Sequence, residues 1–207
     1  AQKVIDGEYD DQFVVDIFQT GSGTSTNMNT NEVISNVAIS GLGGESGSRD
    51  PVHPNDHVNK GQSSNDVIPT AIHLAAAGAI KERLLPAMKE LEDALRAKSE
   101  EFWPIVKTGR THLQDATPIR LGQEFSGYVG QLEYGRERAN KALAELSVLA
   151  IGGTAVGTGI GMHPEFADRM IGKLKEMTGL DLSETANHFQ SQSSLDAVVE
   201  ASGSLKT

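Results

Sequence analysis

The sequence predicts a mostly α chain organised around long helices. Three observations carry this: a proline-free run of small and apolar residues from Leu121 to Leu149, further stretches with apolar residues at helical spacing, and few, short strand signals. In the long run, Leu121, Phe125, Tyr128, Leu132, Gly135, Ala139, Ala142, Leu146 and Leu149 recur in alternating steps of four and three. One helix of that length measures roughly 40 Å at about 1.5 Å per residue. A seam of this kind needs helical neighbours, and Gly135, Ala139 and Ala142 let them come close. The expected architecture is a long-helix bundle completed by residues outside this chain and by other subunits.

The remaining elements follow the same logic. A helix is expected from about Asn29 through Val33, Ile34, Val37 and Ala38 to the stop at Gly43-Gly44. Leu84, Met88, Leu91 and Leu95 mark another, ending near Phe102-Trp103-Pro104. His163-Pro164 opens a helix with Phe166, Met170, Leu174 and Met177 on one face, closed by Gly179, and Asn187 to Lys206 reads as one more. Val14-Val15 and Ile105-Val106 are the only strand signals, both bounded by breakers. There is no internal repeat or low-complexity linker. The chain starts at Ala1 without a Met and stops at Leu205-Lys206-Thr207 inside a helical pattern, so it is expected to be an internal fragment.

Composition narrows the chemistry. The 207 residues carry 18 Lys+Arg against 28 Asp+Glu, a formal charge of -10, which argues against nucleic acid or an anionic membrane as partner. Without cysteine there is no disulfide, thiolate zinc site, catalytic thiol or protein-ligated iron–sulfur cluster. No apolar run is long enough to span a bilayer, and the N-terminus lacks the order of a secretory signal, so a cytoplasmic protein is expected.

Four segments are too rich in Gly, Ser, Thr and Asn to be core: Gly21–Asn29, Asn59–Asp66, Gly109–Asp115 and Gly152–Gly159. Each is expected at a helix end, where such residues serve as caps and turns. Four of them together also suit a shared anion site, because hydroxyls, amides and helix N-terminal N–H groups hold carboxylates without a basic surface. No Gly-Lys-Ser/Thr follows these glycines, which disfavours a phosphate loop. His53 and His57 have the i, i+4 spacing of a metal pair, but Pro54 intervenes and the Glu of the helical zinc motif is missing. His112, among Arg110, Thr111, Gln114 and Asp115, is the candidate for proton transfer, with a structural histidine as the competing reading. His73 lies in the apolar run Ile72 to Ala77, where helix packing is expected.

The blocks Gly21 to Asn36, His53 to Asp66, Gly109 to Tyr128 and Gly152 to Gly159 resemble, in order and spacing, those of the class II fumarases of the fumarase/aspartase superfamily. The resemblance covers essentially the whole chain. It implies reversible hydration of fumarate to L-malate, no cofactor and no metal, in a homotetramer whose long helices form one bundle and whose active sites draw on three subunits. Residues 1–62 would be the end of an N-terminal helical domain and 63–207 the first part of the central bundle domain. Ser22, Gly23 and Thr24 resemble the first substrate-binding loop, Ser63, Ser64 and Asn65 the second, and Thr111 and His112 the third, with His112 in the water-activating pair. Lys60 lies beside the second loop. His53, Pro54, Asn55 and Asp56 match a second dicarboxylate site. The family's catalytic serine, on a Gly-Ser-Ser loop followed by Lys and Asn, has no counterpart in residues 1–207. Gly61 stands where relatives usually carry Ser, Gly161 where many carry Asn, and Asp50 where some carry a basic residue. The nearest rival is an aspartate ammonia-lyase, which typically has Gln at the position of His112 and Gly-Ala-Gly in place of Gly21-Ser22-Gly23. A non-catalytic helical oligomer retaining the scaffold is the other alternative.

Overall fold

The apolar stripes of the sequence become helices. The computed structural model of the chain describes residues 1–16, 18 and 21–207. They form two units, unit 1 from Ala1–His73 with Val148–Leu195, and unit 2 from Leu74–Ser147 with Asp196–Thr207. The described residues are mostly helical, and no helix among them is long and apolar enough to cross a membrane.

Unit 2 is built on an antiparallel helix pair, α4 (Leu85–Glu101) and α5 (Leu121–Leu146). Its registry is set by close backbone contact at one end. A Cβ on Gly122 would stand 2.4 Å from the Ser99 carbonyl oxygen, and the Ser99 hydroxyl donates to the Gly122 carbonyl at 2.7 Å. Phe102 meets Phe125 edge-on with ring centroids 5.1 Å apart. Further along, Gly135 faces Met88, where a Cβ would lie 2.8 Å from the methyl carbon, and Ala139, Ala142 and Leu146 are buried. The small residues of the seam therefore do admit close neighbours, here α4 and the C-terminal helix α8 (Asp196–Lys206). Glu92, 4% exposed, accepts from Arg136 and, at 3.1 Å, from Arg96, which also donates to Glu133 at 2.7 Å. Beside the pair an apolar groove of about 440 Å³ is lined by Leu84, Met88, Leu91, Leu95 and Leu132.

Three expectations change in detail. The long helix stops at Leu146, where the Ser147 N–H closes back on Leu143 and Ala144. Val148–Leu149 then forms a short strand, β3, and Leu149 is fully buried. The signal at Ile105-Val106 grows into a hairpin of β1 (Val106–Thr111) and β2 (Gln114–Arg120), so Gly109–Asp115 is a hairpin tip and not a helix end. Ladder hydrogen bonds and a buried Gly109, whose Cβ would clash with the Thr117 carbonyl at 2.6 Å, fix this hairpin without an alternating apolar pattern. Asn187 to Lys206 is two helices, α7 (His188–Ser193) and α8, parted where Ser194 adopts an extended conformation.

In unit 1, a four-residue helix α1 (Gln2–Ile5) and a 3-10 turn at Asp10–Gln12 precede α2 (Thr24–Gly41). Thus α2 begins five residues before the expected start at Asn29, residues of the Gly/Ser/Thr segment forming its first turn. No strand forms at Val14-Val15 among the described residues. One π-helical turn, Pro54–Val58, leads to α3 (Ser64–Ala79), whose His73 packs inside and contacts the Val148 carbonyl through Nδ1 at 2.8 Å. β3 pairs in parallel with β4 (Ser183–Glu184). Helix α6 (Phe166–Thr178) starts three residues after His163 and ends at Gly179 in the left-handed conformation. Ile39, Ile171, Leu149, Leu180 and Leu182 are buried core residues.

Candidate active site

The first and second polar segments and the glycine-rich Gly152–Gly159 loop converge in unit 1, and Asp66 joins the second segment to the loop. Ser63 caps α3: the Asn65 N–H donates to the Ser63 hydroxyl at 3.2 Å, and the Ser63 N–H donates back to Asp66 Oδ1 at 2.9 Å. This is the reciprocal Ser-x-x-acid capping arrangement. The other carboxylate oxygen of Asp66 accepts from the N–H groups of Gly152 at 3.2 Å and Thr154 at 2.8 Å. The side chain is fully buried. Burial pushes its carboxyl above the ordinary value of 3.8, against the pull of the Ser63, Thr154 and Gly152 amides. Asn65 adds a second tie, donating to the Ala155 carbonyl at 2.7 Å.

An asparagine chain holds the second segment to α2. Asn27 donates to the Ser64 hydroxyl at 3.0 Å, and Asn31 donates to Asn59 Oδ1 at 3.2 Å and to the Asn27 carbonyl at 2.8 Å. Gly23, at φ +77°, lies so close to Ile68 of α3 that a Cβ would stand 2.8 Å from it. The Ser22 and Thr24 hydroxyls lie 3.1 Å apart beside it. A cavity of about 290 Å³ opens here, lined by Asn59, Gln62, Ser63, Ser64, Thr154 and Ala155 among others. Its hydroxyls and amides can accept a small anion without a buried cation, and Lys60 stands exposed next to it in sequence.

His53, Pro54, Asn55 and Asp56 form the N-terminal end of the π-helical turn. His53 Nδ1 accepts from the Asn55 and Asp56 N–H groups at 3.2 and 3.3 Å, while His57 Nδ1 accepts from the His53 N–H at 2.8 Å. Both Nδ1 atoms are thereby engaged as local caps, which accounts for the histidine spacing without a metal. Pro54 is buried and Asn55 and Asp56 are exposed.

Thr111 and His112 belong to unit 2. They sit at the tip of the β1–β2 hairpin, where His112 and Leu113 both take positive φ, +50° and +64°. A two-residue turn of this hand fits hairpin twist but disfavours side chains larger than Gly, Asn or Asp. Arg110 and Asp115 brace it by an ion pair at 3.2 Å. The His112 ring is exposed, and Leu113 is 89% exposed.

Sequence reasoning gave no individual role to Asp66, Asn27, Asn31 or the histidine of α7. The Ser63-x-x-Asp66 pattern was a readable capping signal. Nothing in local sequence announces that the same carboxylate binds amides 86 and 88 residues away.

A mostly helical fold with dense amide and hydroxyl loops at helix ends has a known counterpart. A family model described as lyase matches residues 1–207, and the chain belongs to that lyase family. It is 54% identical over 205 residues to the class II fumarate hydratase of Methylorubrum extorquens, covering 99% of this chain and 43% of that protein. It is 56% identical over 205 residues to the mitochondrial fumarate hydratase of Schizosaccharomyces pombe, covering 99% and 39%. Among solved structures, the class II fumarase of Schistosoma mansoni superposes with a TM-score of 0.94 at 40% identity, covering 98% of this chain and 46% of that one. A fumarate lyase:delta crystallin of Brucella melitensis, described as bound to cobalt, gives 0.92 at 42% identity, covering 99% and 44%. The chain thus spans less than half the length of each of these relatives.

Proposed function

We propose that this chain is part of a class II fumarate hydratase that adds water reversibly across the double bond of fumarate to give L-malate. The observation that carries the reading is the 54–56% identity, over 99% of the chain, to relatives named fumarate hydratase. Thr111-His112 and Ser63-Ser64-Asn65 stand intact within it.

In the dehydration direction, a proton leaves the carbon beside a carboxylate, giving a dianionic aci-carboxylate; the neighbouring C–OH bond then breaks as its oxygen takes a proton from the group that activates water in the reverse direction, and water leaves. The main demand is for fixed donors where that charge develops. In this reading Ser22, Gly23, Thr24, Ser63, Ser64, Asn65 and Thr111 hold the substrate carboxylates, and His112 activates the water. The capping bonds at Ser63 and the Asn65 tie to Ala155 support it, because they preorganise the second loop before substrate arrives. His53, Pro54, Asn55 and Asp56 are assigned to a second dicarboxylate site. The working protein is read as a metal-independent homotetramer with composite sites, its domains dividing near residue 62, and the open apolar groove of unit 2 supports further helical neighbours. The cytoplasm is the proposed compartment, with the mitochondrion as the outcome of fractionation that would replace it, since relatives named mitochondrial match equally well.

The test is an ultraviolet assay of the complete protein for fumarate, with L-malate and separately with L-aspartate, in the presence of a chelator. Fumarate from malate alone supports the hydratase. Fumarate from aspartate alone moves the function to the ammonia-lyase branch, and activity abolished by the chelator removes metal independence. His112→Asn is expected to slow turnover by about two to four orders of magnitude, and a loss below about threefold would show that His112 has another role.

A further inference from the structure

The Gly152–Gly159 loop, which lines the polar cavity at Thr154 and Ala155, is gripped from two sides. Asp66 and Asn65 hold it from α3. From the other side, α7 takes the carbonyls: the His188 ring meets the Ala150 carbonyl through Nδ1 at 3.0 Å, and Gln192 donates to the Thr154 carbonyl at 2.7 Å. The fit leaves no room for a side chain at Gly152 or Gly153. A Cβ on Gly152 would lie 2.7 Å from Ala167 Cβ, and one on Gly153 would lie 2.3 Å from Gln192 Oε1 and 3.0 Å from His188 Cβ.

His188 has a second partner. Its Nε2 stands 2.9 Å from Glu184 Oε1. Both ring nitrogens therefore face oxygen acceptors, a carbonyl on one side and a carboxylate on the other. The ring thus ties the Ala150 carbonyl to the Glu184 side chain. The ring is mostly covered, with 18% of its side chain exposed against 42% for Glu184.

We propose that His188, bridging the Ala150 carbonyl and Glu184, is a positioning residue that fixes the Gly152–Gly159 loop against the second segment and thereby sets dicarboxylate affinity at the cavity. The loop part stands on geometry alone, and the affinity part rests on the hydratase reading.

The test uses the complete protein and reads loop and substrate separately. In amide exchange corrected for intrinsic rates, His188→Ala is expected to speed exchange across residues 150–161 about tenfold at neutral pH, the loss of one hydrogen bond's protection. Glu184→Gln should stay protected, because the new amide can still bond Nε2 of the ring while Nδ1 holds Ala150. In turnover with fumarate, His188→Ala should raise KM about tenfold with kcat within about twofold, while Glu184→Gln should keep both within about twofold of wild type. Unchanged exchange in His188→Ala overturns the proposal, as does a Glu184→Gln loop that loosens as far as the His188→Ala one. A loosened loop with unchanged KM overturns the affinity part. If the wild type does not turn over fumarate, the hydratase reading falls while the exchange data still decide the loop part.

Discussion

Among the described residues each unit buries one carboxylate, and the two are held in opposite ways. Glu92 of unit 2 lies between α4 and α5 among cations, Arg136, Arg96 and Lys89, and the Arg136 hydrogen bond leads in holding its carboxyl below the ordinary value of 4.5. Asp66 of unit 1 has no cation in its bonded shell; it is surrounded by backbone amides, and burial pushes it up. The difference follows from what each must join. Two straight helices meet along a surface, where long arginines reach from both sides and keep their outer ends in water. Loops bring their backbones together, and a buried carboxylate is the compact group that can satisfy several N–H donors at once. The helix pair is therefore pinned by side chains, whereas the loop cluster around the cavity is pinned by main chain.

The sharpest way to break this comparison is Asp66→Asn. One carboxylate oxygen becomes an amide NH2 that faces N–H groups it cannot accept from, leaving buried donors of Ser63, Gly152 or Thr154 unpaired. The expected loss is on the order of 3 kcal/mol in urea unfolding of the complete protein, with amide exchange rising first in residues 148–161. A loss below about 0.5 kcal/mol, the scale of ordinary surface changes, would show that Asp66 is not the hub.

Glu92→Gln should do less. The amide keeps one acceptor for Arg136 or Arg96, and both arginines, with side chains 32% and 47% exposed, can turn to water. A lower melting temperature than wild type is expected, but a smaller drop than for Asp66→Asn. The reverse ranking would mean that the cationic cluster of unit 2, and not the amide hub of unit 1, carries more of the chain's stability.

How much of this was legible follows the same division. The stripe from Leu121 to Leu146 announced its helix because one residue in three or four faces a partner, and Gly135, Ala139 and Ala142 behave as their sizes require. The hairpin was scarcely legible: its residues are exposed but for Gly109 and the half-buried Lys107 and Ile119, and its turn carries His112-Leu113 where hairpin turns ordinarily carry Asn-Gly. That mismatch is itself informative, since two side chains at positive φ are retained at the tip that carries the proposed water-activating histidine. For the cavity, the composition of Ser63, Ser64 and Asn65 pointed to a binding loop, but the ties from Asp66, Asn27, Asn31 and His188 join positions tens of residues apart and leave no periodic trace.

Acid gives the smallest and most discriminating effect. Glu92 is depressed in the folded state, so its contribution is present above its ordinary value of 4.5 and is lost as pH falls below it. Asp66 is raised, so its contribution is fully present below 3.8 and declines as pH climbs from there through its folded value. Lowering pH from about 6 toward about 3 should therefore weaken α4 and α5 while relieving the cost of the buried charge at Asp66. Segment-resolved exchange, corrected for intrinsic rates, should show protection falling in residues 85–101 and 121–146 more steeply than in 148–161. Glu92→Gln should flatten the first slope and leave the second unchanged. Parallel slopes in both segments would mean that the two carboxylates share one environment, and the contrast between cation-held helices and amide-held loops would fail.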